Sequence, residues 1–295
     1  MEILPGIHHL KQDLSPDYPG FWTVISVVVG ERVAVIDTGV PGSVESLILP
    51  CLAKLGRQPT EIAAIVNTHG HGDHIGGNGT LKGLSGAPIM IHEADAANLD
   101  QPGIWSGVLY VAGPADVRLR DGDVIDLGNR QLEVVALPGH SAGCIGVYLQ
   151  DEGVLFTGDS LQALGSDVQH LAFYTDPDAY AASLERALEL GVQHLVPGHA
   201  YLPYVESHLH GAEVRRFLEI SIEFARGLDA MLLRLLRETN RPATAVALAD
   251  QVCVAYGTSG TTVMATATVA GHLDRLVARG EVSRTAGEPV EYAAV

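Results

Sequence analysis

Across the N-terminal two-thirds of the chain, apolar positions fall into short β-branched runs broken by glycine and charge. Phe21 to Val29 and Val33 to Ile36 flank Gly30-Glu31-Arg32, which predicts a hairpin. Val44 to Leu55 switches to helical spacing, with Ser43 as N-cap, Gly56 as stop and Pro50 predicting a kink. Ile62 to Val66 reads as a buried strand, a helix is expected from His74 onward, and Pro88 to Ile91 reads as another strand. Between Leu99 and Pro114 the periodicity is lost. Trp105 and Tyr110 lie there, on an irregular segment of the kind that forms a lid or a surface crossover. Val124 to Asp126, Leu132 to Leu137, Ile145 to Leu149 and Val154 to Phe156 follow as strands, with Asp121-Gly122 and Gly128-Asn129 supplying turns. Asp176-Pro177-Asp178 starts a helix whose Tyr180, Leu184, Ala187 and Leu188 share a face, Gly191 ends it, and His194 to Val196 is a further strand. Two strand-rich segments, each followed by a helix, predict an α/β four-layer αββα sandwich over residues 1–203.

The pattern changes after that. Val205 to Arg226, Ala230 to Arg237, Ala243 to Tyr256 and Thr261 to Arg279 read as helices, the last with an apolar stripe of Val269, Leu273, Leu276 and Val277. Glu281 to Thr285 and Val290 to Ala293 then read as a hairpin. Short helices followed by a hairpin predict a mostly helical, winged-helix-like C-terminal domain over residues 204–295.

Composition narrows the function classes. Hydrophobic residues make up 47% and charged residues 18% of the 295 positions, which describes a packed globular protein. The net charge of −17 repels nucleic acid and anionic membrane, so neither is expected as a partner. From Tyr204 onward nine arginines and no lysine face eleven carboxylates, a net of −2. The helix at 261–279, where a winged helix would read DNA, offers only Arg275 and Arg279, with Asp274 beside them. The tail is therefore expected to serve helix packing or homodimerisation. Cys51, Cys144 and Cys253 are widely spaced and outside any CxxC pattern, which predicts free thiols rather than disulfides. The N-terminus lacks the basic and long apolar regions of a signal peptide, and no apolar run reaches bilayer-spanning length, so a soluble cytoplasmic protein is expected.

The chemistry concentrates in Thr68-His69-Gly70-His71-Gly72-Asp73-His74-Ile75-Gly76-Gly77, three imidazoles and a carboxylate within six residues. Imidazole and carboxylate donors at this density suit a Zn²⁺-like ion. Further donors follow predicted strands: His140 in Pro138-Gly139-His140, Asp159 in Thr157-Gly158-Asp159, and His199 in Pro197-Gly198-His199. Strand ends present side chains from a rigid scaffold, and the adjoining glycines allow close backbone approach. Seven such residues are enough for two ions sharing a carboxylate. His8, His9, His92, His170, His194, His208, His210 and His272 lack such settings and are read as structural or surface residues.

This run, His-x-His-x-Asp-His followed by Pro-Gly-His, Thr-Gly-Asp and a second Pro-Gly-His, resembles the metallo-β-lactamase-fold hydrolase superfamily over residues 3–204. The tail is similar to that of members carrying a winged-helix-like appendage. The resemblance implies that His69, His71 and His140 hold one divalent metal, that Asp73, His74 and His199 hold a second, and that Asp159 bridges them. Zinc is the implied metal, although iron and manganese accept the same donors. True metallo-β-lactamases typically place a cysteine where Asp159 stands, so the pattern resembles that of glyoxalase II, acyl-homoserine lactonases, thioesterases and related nucleases instead. The implied activity is cleavage of a carbonyl ester-type bond (thioester, lactone or a related small acyl substrate) by a metal-bridging hydroxide, with Asp73 also orienting or receiving the proton. By analogy with lactonases, Tyr174 is a candidate to assist the substrate carbonyl, with Tyr201 a second. A metal-dependent ribonuclease or phosphodiesterase, a metal-bearing binding or regulatory protein, and iron redox chemistry are the alternatives.

Overall fold

The computed structural model describes residues 1–295 apart from Pro16 and Ser259. Two sheets form its centre. The first has seven strands, hydrogen-bonded to one another in chain order: β1 (Glu2–Leu4), β2 (Ile7–Asp13), β3 (Trp22–Val29), β4 (Val33–Ile36), β5 (Ile62–Val66), β6 (Ile89–His92) and β9 (Val117–Leu119). The second has six, also in chain order: β10 (Val124–Asp126), β11 (Gln131–Ala136), β12 (Ile145–Leu149), β13 (Val154–Gly158), β14 (His194–Pro197) and β15 (Leu209–His210).

The strands run apolar on both sides because both faces of each sheet are covered. Val24, Val28, Ile36 and Val66 of the first sheet meet Val134, Val147, Phe156 and Val196 of the second in the central layer. The opposite face of the first sheet, with Ile25, Val35, Ile65 and Ile89, packs on α1 (Leu49–Lys54) and α3 (Asn78–Ser85) through Leu52 and Leu81. The opposite face of the second sheet, with Val135, Tyr148 and Leu195, packs on α4 (Pro177–Glu189) through Tyr180 and Leu184. The layers are α, β, β and α, as expected.

Three local expectations change. Pro50 produces no kinked α-helix. A π-helical turn at Val44–Ile48 runs into α1 and leaves Pro50 in the first α-turn, where its missing N–H is not needed. The segment from Leu99 to Pro114 is not irregular throughout. It contains a hairpin of β7 (Gly103–Trp105) and β8 (Val108–Tyr110), too short to show a period of two. In the tail, the two helices expected at 205–226 and 230–237 are one helix, α5 (Ala212–Thr239). Its stripe of Val214, Phe217, Phe224, Leu228, Leu232 and Leu236 passes unbroken through Gly227, and this burial outweighs the ~1 kcal/mol that glycine costs inside a helix. The residues before it supply β15, so the second sheet extends past residue 203.

After α5 come α6 (Ala245–Ala255), α7 (Val263–Ala278) and a hairpin of β16 (Val282–Arg284) and β17 (Tyr292–Ala294). Their apolar faces join the same core as α4 and the second sheet, through Leu248, Val252, Val269, Leu273 and Tyr292. The tail is thus part of the outer helical layer. All three cysteines are free. Among the described residues no helix is long and apolar enough to cross a membrane.

Candidate metal centre

Each donor leaves the end of a strand. Strand β5 delivers Thr68, His69 and His71, and the short helix α2 (Gly72–Ile75) turns Asp73 and His74 back toward them. His140 follows β11, Asp159 follows β13 and His199 follows β14. Both sheets therefore contribute, and the donors meet along one edge of the sandwich.

Three overlapping groups have donor atoms mutually within 4.8 Å: His69 with His71 and His140, His69 with His74 and Asp159, and Asp73 with His74 and His199. All seven sequence-predicted donors are in these groups. His71 Nδ1 lies 3.1 Å from His69 Nε2 and 2.9 Å from His140 Nε2. His199 Nε2 lies 3.3 Å from both Asp73 Oδ2 and Asp159 Oδ1. His74 Nε2 is 3.5 Å from Asp159 Oδ1, and His140 Nε2 is 3.7 Å from Asp159 Oδ2.

Hydrogen bonds on the far side of the rings decide the tautomers. His140 Nδ1 donates to the Phe173 carbonyl at 2.7 Å, and His199 Nδ1 donates to the Trp22 carbonyl at 2.7 Å. His74 Nδ1 donates to Asp37 Oδ2 at 2.8 Å. The Thr68 hydroxyl donates to Asp37 at 2.8 Å, which leaves its lone pair to accept from His69 Nδ1 at 3.2 Å. Four imidazoles thus carry hydrogen on Nδ1 and aim the lone pair of Nε2 inward, the arrangement that outer partners impose on metal-binding histidines.

Those inward atoms fit a cation. His74 Nε2 and Asp159 Oδ1 are buried and find no hydrogen-bond partner among the described residues. Such orphans are costly unless a further group satisfies them. Burial holds His69 well below its usual range and His140 down to about 4, so both keep the lone pair a metal needs. For His74 and His199 burial acts in the same direction, but neighbouring carboxylates outweigh it. Asp73 and Asp159 raise His74, and Asp159 and Asp73 raise His199 to about 9. Burial would raise Asp73 and Asp159, yet the same imidazoles hold Asp73 at about 2 and Asp159 well below the carboxylate range. A site in which imidazoles gain protons when only carboxylates neutralise them is built for cations, and its donors fit a pair of divalent ions.

Asp73 is only half-buried and, with His71, His140, Asp159 and His199, lines an open cleft. Phe21, Trp105, Phe173 and Met264 form much of the remaining wall. Phe21 stacks on His199 at 4.3 Å, and Phe173 meets the edge of His140 at 4.9 Å. Trp105 arrives on the β7–β8 hairpin and Met264 on α7, so the unperiodic segment and the tail both reach the cleft.

Tyr174 does not take the expected place at the substrate carbonyl. Its side chain is fully buried, stacked on Tyr180 at 3.9 Å, and its hydroxyl pairs with His272 Nε2 at 2.9 Å. The neighbouring Phe173 faces the cleft instead, because successive residues of an extended segment point in opposite directions. Tyr201 is also fully buried, beside His199 with ring centres 5.9 Å apart, and does not line the cleft. The eight histidines read as structural or surface residues lie outside the three donor groups.

Sequence reasoning missed Asp37, Asp95 and Gln162. Asp37 accepts from the Thr68 backbone N–H, the Thr68 hydroxyl and His74. A carboxylate before Gly39 at a strand end is the same signal that identified Asp159, so Asp37 was findable. Asp95 accepts from the backbone N–H groups of Gly70 and Gly143 and from the Ser141 hydroxyl, tying two donor loops together. Gln162 donates to the Asp159 carbonyl and accepts from the Phe173 N–H. Neither carries a local signal.

The family described as the metallo-β-lactamase superfamily matches residues 16–199. Hydroxyacylglutathione hydrolase of Methylococcus capsulatus (strain ATCC 33009 / NCIMB 11132 / Bath) is 33% identical over 132 residues, 45% of this chain and 44% of that protein. The protein of the same name from Chelativorans sp. (strain BNC1) is 32% identical over 158 residues, 53% of this chain and 54% of that one. The chain spans about half the length of the curated relatives it matches. Among solved structures, a metallo-β-lactamase family protein from Thermus thermophilus covers the whole of both chains at 26% identity with a TM-score of 0.78. A β-lactamase domain protein from Burkholderia ambifaria, 18% identical, shares the fold over all of this chain and 93% of its own, with a TM-score of 0.75.

Proposed function

The chain belongs to the metallo-β-lactamase superfamily, and from that premise we propose that it is a dinuclear zinc hydrolase that cleaves carbonyl ester-type bonds, thioesters first. The convergence of seven donors with His74 Nε2 and Asp159 Oδ1 left unpartnered carries this reading. The half-length relatives named hydroxyacylglutathione hydrolase support a thioester over other acyl bonds.

His69, His71 and His140 would hold one ion and Asp73, His74 and His199 the other, with Asp159 placed between the two groups. Nitrogen and oxygen donors without thiolate suit zinc. When bound, the pair supplies an ionised water near neutral pH and polarises the substrate carbonyl. The chain's own residues do the rest. Asp73 stays ionised and faces the cleft, so it would orient the attacking water by accepting a hydrogen bond from it. Asp37 and the carbonyls of Trp22 and Phe173 keep the imidazoles aimed inward through the reaction. Phe21, Trp105 and Phe173 limit solvent at the reacting carbon and position the acyl group.

The test is metal content by elemental analysis together with hydrolysis of an acyl thioester, an acyl-homoserine lactone, an aryl ester and a phosphodiester. About two zinc ions per chain and thioester turnover that disappears in Asp73→Ala are expected. Phosphodiester cleavage alone, or full metal with no turnover of any carbonyl substrate, would overturn the reading.

A further inference from the structure

The wall of the cleft differs from what an anionic thioester requires. Beyond the metal donors, its aromatic and apolar members include Leu14, Tyr18, Phe21, Trp105, Phe173 and Met264, and among the described lining residues there is neither lysine nor arginine. Two of the aromatic rings sit directly against donors: Phe21 on His199 and Phe173 on His140. A group attached to the reacting carbonyl would therefore meet aromatic faces that contact His199 and His140. Around the cleft the protein carries a net charge of −17, a field that disfavours approach of anions.

Resting on the thioesterase reading above, we infer that the substrate is an uncharged thioester with an apolar, preferably aromatic, acyl group, and that Met264 of α7 helps set this selectivity. Glutathione carries net negative charge and needs cationic partners to offset desolvation of its carboxylates. Apart from the ions at its floor, which the reacting group occupies, this cleft supplies no cationic side chain among its described lining residues, so its substrate differs from that named for the half-length relatives. An aryl or alkyl acyl group instead gains by leaving water against Phe21, Trp105, Phe173 and Met264. Met264 connects this selectivity to the tail, because α7 is what brings it to the cleft.

A two-by-two set of substrates on the zinc-loaded full-length protein tests this: lactoyl and phenylacetyl thioesters, each of glutathione and of N-acetylcysteamine. kcat/KM is expected to rise at least about 10-fold from lactoyl to phenylacetyl, as one well-buried apolar group implies. It is expected to fall from N-acetylcysteamine to glutathione, and that gap narrows as salt is raised because the repulsion is screened. Met264→Lys is expected to shrink both preferences while zinc content stays at two. Preference for the glutathione thioesters, or indifference to the acyl group, would overturn the inference and leave the thioesterase reading standing. If none of the four is hydrolysed, the thioesterase reading fails, and quenching of tryptophan fluorescence by the neutral amides phenylacetamide and lactamide decides the pocket chemistry. Phenylacetamide binding at least about 10-fold tighter supports the apolar pocket, and equal binding overturns it.

Discussion

Asp37 Oδ2 lies 2.8 Å from His74 Nδ1, joining the end of β4 to a candidate metal donor in α2. Asp37 adopts φ of 58°, a left-handed conformation that aspartate and asparagine accept more readily than most residues. Asp37→Asn therefore keeps the backbone and the side-chain volume but replaces a full carboxylate with a neutral amide. His74 loses its charged acceptor, and zinc affinity is expected to fall about 10- to 100-fold. Chelator competition measures it, with circular dichroism confirming an unchanged fold.

A second control on the site comes from the tail. Thr268 Oγ1 accepts from the Tyr174 N–H at 3.2 Å and donates to the Ala172 carbonyl at 2.9 Å. It thus clamps the segment whose Phe173 carbonyl orients His140. Thr268→Val removes both bonds at nearly constant shape, and a severalfold weaker retention of one zinc per chain is expected. Thr268→Ser restores the hydroxyl and should restore retention. Loss in both variants would show that the methyl contact, not the hydroxyl, matters.

Gly198 stands where no side chain fits. A Cβ there would run into Asp159 Oδ1 and come within 2.9 Å of His74 Cε1. Gly198→Ala must displace the shared carboxylate or its neighbouring imidazole, so zinc stoichiometry below two and at least about 100-fold lower kcat are expected. Elemental analysis and steady-state kinetics read the two effects separately.

Stripping the metal should also lower stability. Ions that bind only the folded chain stabilise it by about 2.7 kcal/mol at a hundredfold excess over Kd. For a chain of 295 residues that corresponds to a fall in Tm of about 4 °C on chelation. Differential scanning calorimetry before and after chelation, with zinc added back, checks the shift and its reversal.

His9 gives an acid sensitivity remote from catalysis. Burial lowers its pKa from 6.5 to about 4, helped by Lys11, while its Nε2 pairs with the Ser207 hydroxyl at 3.2 Å. The folded state then binds fewer protons than the unfolded one between these values. Its contribution is complete above pH 6.5 and is lost as pH falls toward 4, amounting to about 2 kcal/mol by pH 5. Urea unfolding at pH 7 and pH 5 should show His9→Gln losing less stability than the parent over that interval. Equal losses would place the folded pKa of His9 near 6.5.

Much of this was legible in the chain. Ligand residues announce themselves when they sit at strand ends beside glycine, because that backbone setting is local and leaves a local trace. The seven residues that the fold brings together followed from such traces, and the two-sheet architecture followed from the strand periods. The tyrosine assignment failed for the opposite reason. Tyr174 and Phe173 are neighbours of similar character, and which one faced the cleft was decided by His272, Tyr180 and Thr268 from distant segments. The unbroken α5 escaped notice because Gly227 reads locally as a break, whereas burial along the whole stripe sustains the helix.

By itself, then, the sequence determined the donor chemistry, the strand and helix periods and the charge that disfavours polyanions, all properties of residue type and short-range spacing. Tertiary structure decided which nitrogen of each imidazole faces inward, which aromatic side chains line the cleft, and that the tail reaches it through Met264. Those outcomes depend on hydrogen bonds and packing between segments far apart in the chain, such as Trp22 with His199 and Phe173 with His140. No short window of sequence contains both partners.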